Sequence, residues 1–170
     1  MRLDEVVITA ETPLQDDVRV LVAELNAYMI PLTPREFQFQ LTVEQMAEPS
    51  VTVFVARRPD GRAVGMGSLK DHGDGLGEVK RMYTLPAVRG QRVGSKLVQR
   101  IEALAIEKGL TRLVLETGEA PGFEPAWRVY ERAGFQVCGV VLDYPDSGWS
   151  RFYEKNLPRT SGPARPPSRQ

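Results

Sequence analysis

The spacing of hydrophobic residues divides the chain into helix-like and strand-like segments. A helical period runs from Pro13 to Met29, and a more regular one runs from Val93 to Lys108 and ends at Gly109. Weaker helical segments are predicted at 42–47 and at Glu124–Ala133. The segment from Val93 has the clearest apolar face and is the best-defined predicted helix.

Shorter apolar segments between these helices have the alternation or the compact hydrophobic runs of β-strands. Pro59-Asp60-Gly61 forms a turn between two of them, so that pair should be antiparallel. A central hairpin and helices between the later strands indicate an α+β fold. Its sheet should be mixed and mostly antiparallel, with six or seven strands and helices on its faces. The predicted strands are 6–8, 51–56, 62–69, 77–84, 113–116, 135–142 and 151–154.

Composition narrows the class of protein. The chain has 170 residues, 42% hydrophobic and 26% charged, which suits one soluble globular domain. Its 22 basic and 22 acidic residues balance, so no nucleic-acid partner is expected. No apolar run reaches the ~18 residues that cross a membrane, and the start lacks a signal-peptide pattern, so a cytoplasmic location without membrane contact is expected. A single cysteine, Cys138, excludes an internal disulfide and a cysteine zinc site, and no metal is expected.

The end of the chain has a different composition. Residues 158–170 are rich in proline and arginine and contain almost nothing that a core would bury. Such a segment cannot offset the entropy lost on ordering, so a disordered tail is predicted after a domain of residues 1–157.

The segment from Arg89 to Ser95 joins a predicted strand to the most regular helix. The first N–H groups of a helix lack partners within it, and the helix dipole adds partial positive charge there. Glycines at 90 and 94 allow a ligand to approach the backbone. Arg89 and Arg92 add positive charge that is unfavourable at this end unless an anion binds. A phosphate site explains these features together, although a solvated turn with two surface arginines would also produce them.

Two common phosphate motifs do not fit this segment. It continues as Gly94-Ser95-Lys96, whereas a P-loop ends in lysine followed by serine or threonine. The three-glycine dinucleotide fingerprint is also missing, and the preceding strand does not begin a parallel βαβ unit.

At these residues the sequence resembles the GNAT superfamily of N-acetyltransferases, in particular a branch of small bacterial members. The run from Glu78 to Leu97 resembles its signature, Gln/Arg-x-x-Gly-x-Gly/Ala, with Arg89 in the first position and Gly94 in the last. Arg92 stands where the middle glycine usually is. The segments 115–118 and 126–135 resemble later family segments in the same order, and the resemblance covers residues 1 to about 157.

This resemblance implies a three-layer GNAT fold whose sheet splays between its fourth and fifth strands, with acetyl-CoA in the gap. The pantetheine arm would pair with the backbone at Met82 and Thr84, as an added strand does. The pyrophosphate would rest on the N–H groups of Gln91 to Ser95. The residues implied to bind the cosubstrate are Met82, Tyr83, Thr84, Arg89, Gly90, Gln91, Arg92, Val93, Gly94, Ser95, Ala126 and Tyr130.

Direct attack by an amine on the acetyl thioester needs a neutral amine, a polarised carbonyl and a proton for the departing thiolate. The resemblance implies Tyr130 as the proton donor, since tyrosine with a pKa near 10 is protonated at neutral pH; a packed core tyrosine is the alternative. Glu78 is implied as the base, or else it forms a structural ion pair with Lys80 or Arg81. Glu116 is the second candidate, and a base is dispensable if the amine has a low pKa.

A backbone N–H near Met82 is implied to polarise the carbonyl. His72 lies in an Asp-His-Gly-Asp-Gly segment and is expected to be a surface residue in a turn. Phe123 occupies a place where many relatives carry a polar residue that touches the cofactor, so this contact is expected to be lost.

Acceptor selection is implied to come from the first two helices and the final strands. Arg35 is a candidate for a carboxylate, and Glu36 or Asp146 for an amine, which would suit an amino-acid-like acceptor; each is otherwise a solvated surface residue. The full candidate set is Tyr28, Arg35, Glu36, Phe37, Phe39, Glu116, Tyr144, Asp146 and Ser150.

Three functions remain open from the sequence. The first is acetyl transfer from acetyl-CoA to a primary amine of a small molecule or protein, in a ternary complex. The second is a non-catalytic acyl-CoA-binding or interaction module on the same fold, and the third is a phosphate-binding module unrelated to CoA. Edge strands near the C-terminal end make a homodimer a further expectation.

Overall fold

A seven-stranded mixed sheet forms the centre of the protein in the computed structural model, which describes residues 5–159. The strands are β1 (Val7–Ala10), β2 (Val51–Arg57), β3 (Ala63–Gly73), β4 (Leu76–Thr84), β5 (Arg112–Gly118), β6 (Gln136–Cys138) and β7 (Ser150–Asn156). Their order across the sheet is β1-β2-β3-β4-β5-β7-β6. The helices are α1 (Asp16–Met29), α2 (Val43–Met46), α3 (Val93–Glu107) and α4 (Glu124–Arg132), with short 3₁₀ turns at Ile30–Leu32, Arg35–Phe37 and Pro86–Val88.

Most predicted elements are present within a few residues of their predicted ends, and two differ more. The sequence predicts a strand over 135–142, but β6 ends at Cys138, and Leu142 takes a positive φ of 53° that extended pairing does not allow. β3 continues to Gly73 and therefore includes His72, which was predicted in a turn. The tight turn is the Asp74-Gly75 pair, both with positive φ. The predicted tail falls largely on 160–170, outside the described residues.

β4 and β5 form the parallel pair of this otherwise antiparallel sheet. They pair over Leu76 to Glu78 on β4 and Arg112 to Val114 on β5. Beyond those residues β4 stays paired with β3, and β5 stays paired with β7. The two strands therefore diverge, which confirms the predicted splay between the fourth and fifth strands.

Helices cover both faces of the sheet, because each carries one apolar stripe. α1 buries Val18, Leu21, Val22 and Leu25 against the face where Met66 of β3 also lies. α3 buries its own stripe on the other face, in a second apolar cluster that includes Tyr130 of α4. α2 is only a single turn, and the side chain of Thr42 and that of Gln45 cap its start reciprocally. The predicted three-layer α+β architecture is confirmed.

The end of β5 positions α4. Gly118 lies beneath the ring of Phe123, the residue that precedes α4, and a Cβ built at Gly118 would overlap three atoms of that ring. The carbonyl of Gly118 also accepts a hydrogen bond from Trp127 Nε1 at 2.9 Å. The absence of a side chain at Gly118 therefore lets α4 pack close to the strand, and with it Tyr130.

Gly118→Ala should lower the free energy of unfolding by about 1–3 kcal/mol, because the new methyl group forces Phe123 to move in a packed site. Urea denaturation followed by circular dichroism measures this change. Gly139→Ala is the matched control, since a Cβ there meets nothing within 4 Å, and it should stay within about 0.5 kcal/mol. Equal effects of the two substitutions would show that Gly118 does not set the position of α4.

Candidate active site

A cleft of about 660 Å³ opens where β4 and β5 part. β4 from Glu78 to Thr84 forms one wall, and the end of β5 with α4 forms the other. The turn before α3 lines one region, and the end of α1 with residues 37–40 lines another. The cleft therefore combines the sheet gap, a helix start and the predicted acceptor side in one site.

The start of α3 faces this cleft. Val93, Gly94 and Ser95 line it, and within residues 5–159 their N–H groups donate to no acceptor. Arg92 precedes the helix in the left-handed region, with φ 62°, and Gly90 has φ 85°. These N–H groups and the helix dipole form the kind of surface that binds phosphate.

The β4 wall changes conformation at Arg81. Arg81 has a positive φ of 55°, and the pairing with β3 shifts register between the Ser68–Lys80 and Met66–Tyr83 pairs. The following residues, Met82 to Thr84, line the cleft. On the β5 side, the described residues place no strand against this part of β4. The edge is therefore available to an added extended ligand.

Tyr130 of α4 is 6% exposed and lines the cleft opposite β4, with Ala126 one turn before it. Its ring packs near Tyr153, with the ring centroids 6.0 Å apart. Among residues 5–159 its hydroxyl makes no hydrogen bond. Burial, with smaller contributions from the charges of Glu116 and Tyr153, raises the pKa of Tyr130 well above its ordinary value. The phenol is therefore protonated at neutral pH.

Glu78 is 2% exposed and is surrounded by hydrogen-bond donors. Its Oε2 accepts from the Tyr144 hydroxyl at 2.6 Å and from Lys80 Nζ at 3.3 Å. Its Oε1 lies 2.8 Å from His72 Nε2. Lys80 Nζ also donates to the Tyr144 hydroxyl at 2.7 Å. The ion pair with Lys80 that the sequence offered as an alternative is present, and His72, although at the surface, turns its ring to this carboxylate.

Glu116 lies on β5 across the gap and also lines the cleft. Its Oε1 accepts a hydrogen bond from Ser150 Oγ at 2.9 Å. Burial is the largest influence and raises the pKa of Glu116 above the ordinary range, although Ser150 and Lys80 act in the opposite direction. Its other oxygen, Oε2, has no hydrogen-bond partner among the described residues.

The predicted acceptor residues divide into two groups. Tyr28, Phe37, Phe39 and Tyr144 line the cleft, together with Trp149. Arg35, Glu36 and Asp146 are exposed and lie outside the cleft lining, as does Gln91 of the predicted phosphate loop. Ser150 is half-buried and also lies outside the lining.

Tyr28 reaches across the cleft mouth. Its hydroxyl donates to the carbonyl of Gly122 at 2.5 Å, and Arg89 lies over its ring at 5.5 Å from the centroid. It thus connects the end of α1 to the loop before α4 and to the turn before α3.

The sequence alone does not predict the bond between His72 and Glu78. Glu78 and Lys80 are two residues apart on one strand, and such side chains share a face. Their pairing was therefore predictable from the sequence. The approach of His72 depends on the β3–β4 hairpin register, which opposes Lys70 to Glu78 and leaves His72 near the turn.

Two further structural features concern ligands and membranes. In the part of the chain that the structure describes, no three His, Cys, Asp or Glu side chains gather as metal ligands do. No helix within 5–159 has the length and hydropathy needed to span a bilayer.

Comparison with known proteins places this geometry in a family. The family model described as the acetyltransferase (GNAT) family matches residues 19–135. An IAA acetyltransferase from Azospirillum brasilense is 39% identical over 91% of this chain and 100% of its own length. The chain belongs to the acetyltransferase (GNAT) family. It is therefore an acyltransferase, in agreement with the resemblance seen in the sequence.

Solved structures share the fold of this GNAT chain. A protein from Klebsiella pneumoniae assigned to the acyl-CoA N-acyltransferases superposes with a TM-score of 0.76 and 32% identity, covering 91% of this chain and 99% of its own. An aminoglycoside 6′-N-acetyltransferase complexed with coenzyme A superposes with a TM-score of 0.68, covering 90% and 98%. At 17% identity the second likeness concerns the fold alone.

This GNAT chain departs from the family signature at Arg92. The backbone conformation and the charge of this residue are both unfavourable at that position. The residue is left-handed, a conformation that glycine adopts freely and an L side chain does not. Its positive charge also precedes a helix whose first turn has no acidic residue.

Arg92→Gly should raise the free energy of unfolding by about 1 kcal/mol, because the substitution relieves the left-handed strain and the charge at the helix start. Arg92→Ala removes the charge but keeps a Cβ, so it should recover well under half of that gain. Thermal and urea denaturation of the two variants separate the contributions. A loss of stability in Arg92→Gly would contradict this account of the turn.

Proposed function

We propose that this protein transfers an acetyl group from acetyl-CoA to a primary amine of a small molecule or protein by direct attack in a ternary complex. The observation that carries this proposal is the sheet gap itself. One cleft joins the open helix start at Val93 to Ser95 with the buried Tyr130 phenol and the Glu116 carboxylate. A phosphate site, a proton donor and a proton acceptor therefore line one continuous space.

The residues present suit acetyl-CoA as a substrate. The pyrophosphate fits the unpartnered N–H groups of Val93, Gly94 and Ser95, and Arg89 and Arg92 add charge at the same end. The pantetheine arm, which carries amide groups, fits the free β4 edge from Met82 to Thr84. The coenzyme A complex of a protein with the same fold supports this assignment.

Tyr130 is proposed to protonate the leaving group. The amine nitrogen forms a bond to the thioester carbon, the carbon–sulfur bond breaks, and the sulfur takes the Tyr130 proton. The raised pKa keeps the Tyr130 phenol protonated at neutral pH, so the proton is present when negative charge develops on the sulfur. A backbone N–H of the β4 wall near Met82 is proposed to stabilise the oxyanion of the intermediate.

Glu116 is proposed as the base that takes the amine proton, in place of Glu78. Both carboxylates line the cleft, but Glu78 is engaged by His72, Lys80 and Tyr144. Together these groups occupy both oxygens of Glu78, so neither oxygen is free to take the amine proton. Glu116 has one donor and a pKa raised by burial, which brings it closer to the operating pH. Glu78 is then a positioning residue for Tyr144.

Tyr130→Phe should lower kcat by about 100-fold, since general acid catalysis contributes at least that much, and should leave the Kd for acetyl-CoA within about twofold. Thiol release with a panel of amines measures turnover, and calorimetry measures binding. Phe135→Leu, which alters a ring beside Tyr130, controls for simple repacking. An unchanged rate in Tyr130→Phe would show that Tyr130 is not the proton donor. If the wild-type protein binds CoA tightly but releases no thiol with any amine, a non-catalytic acyl-CoA module is favoured instead.

Glu116→Gln should lower kcat/KM by about 100-fold and remove one limb of the pH profile. In the wild-type enzyme the base form of Glu116 exists above its pKa, so activity rises with pH through a midpoint above the ordinary glutamate value of about 4.3. The separate rise in activity that comes from deprotonation of the amine substrate should remain in the variant. Glu78→Gln is the matched comparison and should retain the limb with less than about a tenfold loss; the reverse pattern would make Glu78 the base.

A further inference from the structure

Arg81 is a buried arginine without an acidic partner. It lies on the β4 wall of the cleft and is 8% exposed. Its Nη2 donates to Asn26 Oδ1 of α1, which is a neutral acceptor. None of the ion pairs found among residues 5–159 includes it. Its Nε is buried and has no hydrogen-bond partner within the same residues.

A buried guanidinium of this kind is unfavourable unless something compensates for the lost water. Burial lowers the pKa of Arg81 to about 10, so the group still carries its charge at neutral pH. Each arginine has five N–H donors, and only one nitrogen of Arg81 is engaged by the described residues. The side chain thus has unused donors as well as unpaired charge.

The backbone holds Arg81 in a strained conformation. Its positive φ is unusual for a residue with a side chain, and such conformations persist where the surrounding structure demands them. Here the β-bulge and Asn26 together keep the guanidinium between the sheet and α1. The neighbouring residue Met82 begins the edge proposed to hold the pantetheine arm. Arg81 is therefore adjacent to the place where the acceptor must meet the thioester.

The other walls of this region define the rest of a ligand. Aromatic rings dominate them, and they belong to Tyr28, Phe37, Phe39, Tyr144 and Trp149. Glu116 supplies a negative charge on the opposite wall, whereas the charge of Lys80 is already paired with Glu78. A buried guanidinium without a counter-charge, a carboxylate on the opposite wall and an aromatic lining together suit a zwitterion with an apolar side chain.

We propose that Arg81 binds the carboxylate of the acceptor, and that the acceptor is a small amine bearing a carboxylate, such as an α-amino acid with an apolar side chain. This inference rests on the proposed acetyl transfer and narrows its substrate class. Arginine binds carboxylates bidentately, so the ligand would use donors that the protein leaves free. The exposed Arg35, the sequence candidate for this role, lies outside the cleft lining.

The test compares matched pairs of acceptors that differ only in the carboxylate. L-phenylalanine, L-tyrosine, L-tryptophan, L-leucine and L-methionine are each assayed against their carboxamides, with acetyl-CoA and thiol detection. For at least one pair, Arg81→Gln should lower kcat/KM for the acid by about 10- to 100-fold, as expected when a charged hydrogen bond is lost. The carboxamide should change by less than about threefold. The ratio of the two effects cancels the different basicity of the two amines.

Two further variants keep the experiment informative if the substitution disturbs folding. Asn26→Ala should raise KM for the acid with a smaller effect on kcat, because Asn26 only orients the guanidinium. Arg19→Gln, an exposed arginine on the same helix, is the control and should change neither substrate. If Arg81→Gln does not fold, the effect of Asn26→Ala on the acid relative to its effect on the carboxamide still decides the question.

The outcomes separate this inference from the function on which it rests. Turnover of carboxamides or simple amines without preference for any acid would overturn the carboxylate site and leave acetyl transfer standing. Equal losses for acid and carboxamide in Arg81→Gln would assign Arg81 a structural role and overturn the proposal. No thiol release with any amine would overturn acetyl transfer itself, and the acceptor class with it.

Discussion

β4 and β5 pair over only three residues on each strand, and the cleft depends on the point where that pairing stops. Each strand remains paired on its outer side, β4 with β3 and β5 with β7, so the two halves of the sheet hold the gap open. The opening leaves backbone groups of β4 free at its edge. It also brings the start of α3, which follows β4 by a short turn, to the same opening. The architecture thus forms an extended ligand site without a dedicated binding domain.

Charge is distributed along this gap in a way that suits two substrates. The helix start with Arg89 and Arg92 lies at one end and favours phosphate. Glu116 and Arg81 lie toward the other, on opposite walls, and neither has a charged partner in direct contact among the described residues. Two arginines of the site, Arg81 and Arg92, also occupy left-handed backbone positions. Strain and unpaired charge therefore coincide at the site, as they do where function opposes stability.

The two carboxylates beside the gap, Glu78 and Glu116, lie in different environments. Glu78 lies on the strand that the family resemblance associates with a base, and from the sequence it was the first candidate. In the fold, groups from β3, β4 and the segment before β7 converge on it and occupy both of its oxygens. Glu116 lies across the gap with one donor, and one of its oxygens has no hydrogen-bond partner among the described residues. The difference between the two is one of environment, since the residues are chemically identical.

Much of the fold could be predicted from the local pattern of hydrophobic, glycine and turn residues. The apolar periods of α1 and α3, the glycines after α3 and α4, and the turn at 59–61 act within a few residues, so the sequence alone predicts them well. The loop proposed to bind phosphate could be singled out for the same reason, because its glycines, arginines and helix start are contiguous. The strand predicted over 135–142 was too long, because pairing with β7 stops at Cys138 and Leu142 has a left-handed backbone.

What the sequence by itself determined is the element order, the two apolar faces and the loop from Arg89 to Ser95. Only the tertiary structure decided which carboxylate keeps a free oxygen and which arginine is buried in the cleft wall without a counter-charge. Glu78 meets Tyr144 across 66 residues of sequence, and Arg81 meets Asn26 across 55. Such contacts follow from strand register and helix placement, which local preference does not encode. Burial and partners set the charge state of a side chain, and both exist only once the chain is folded.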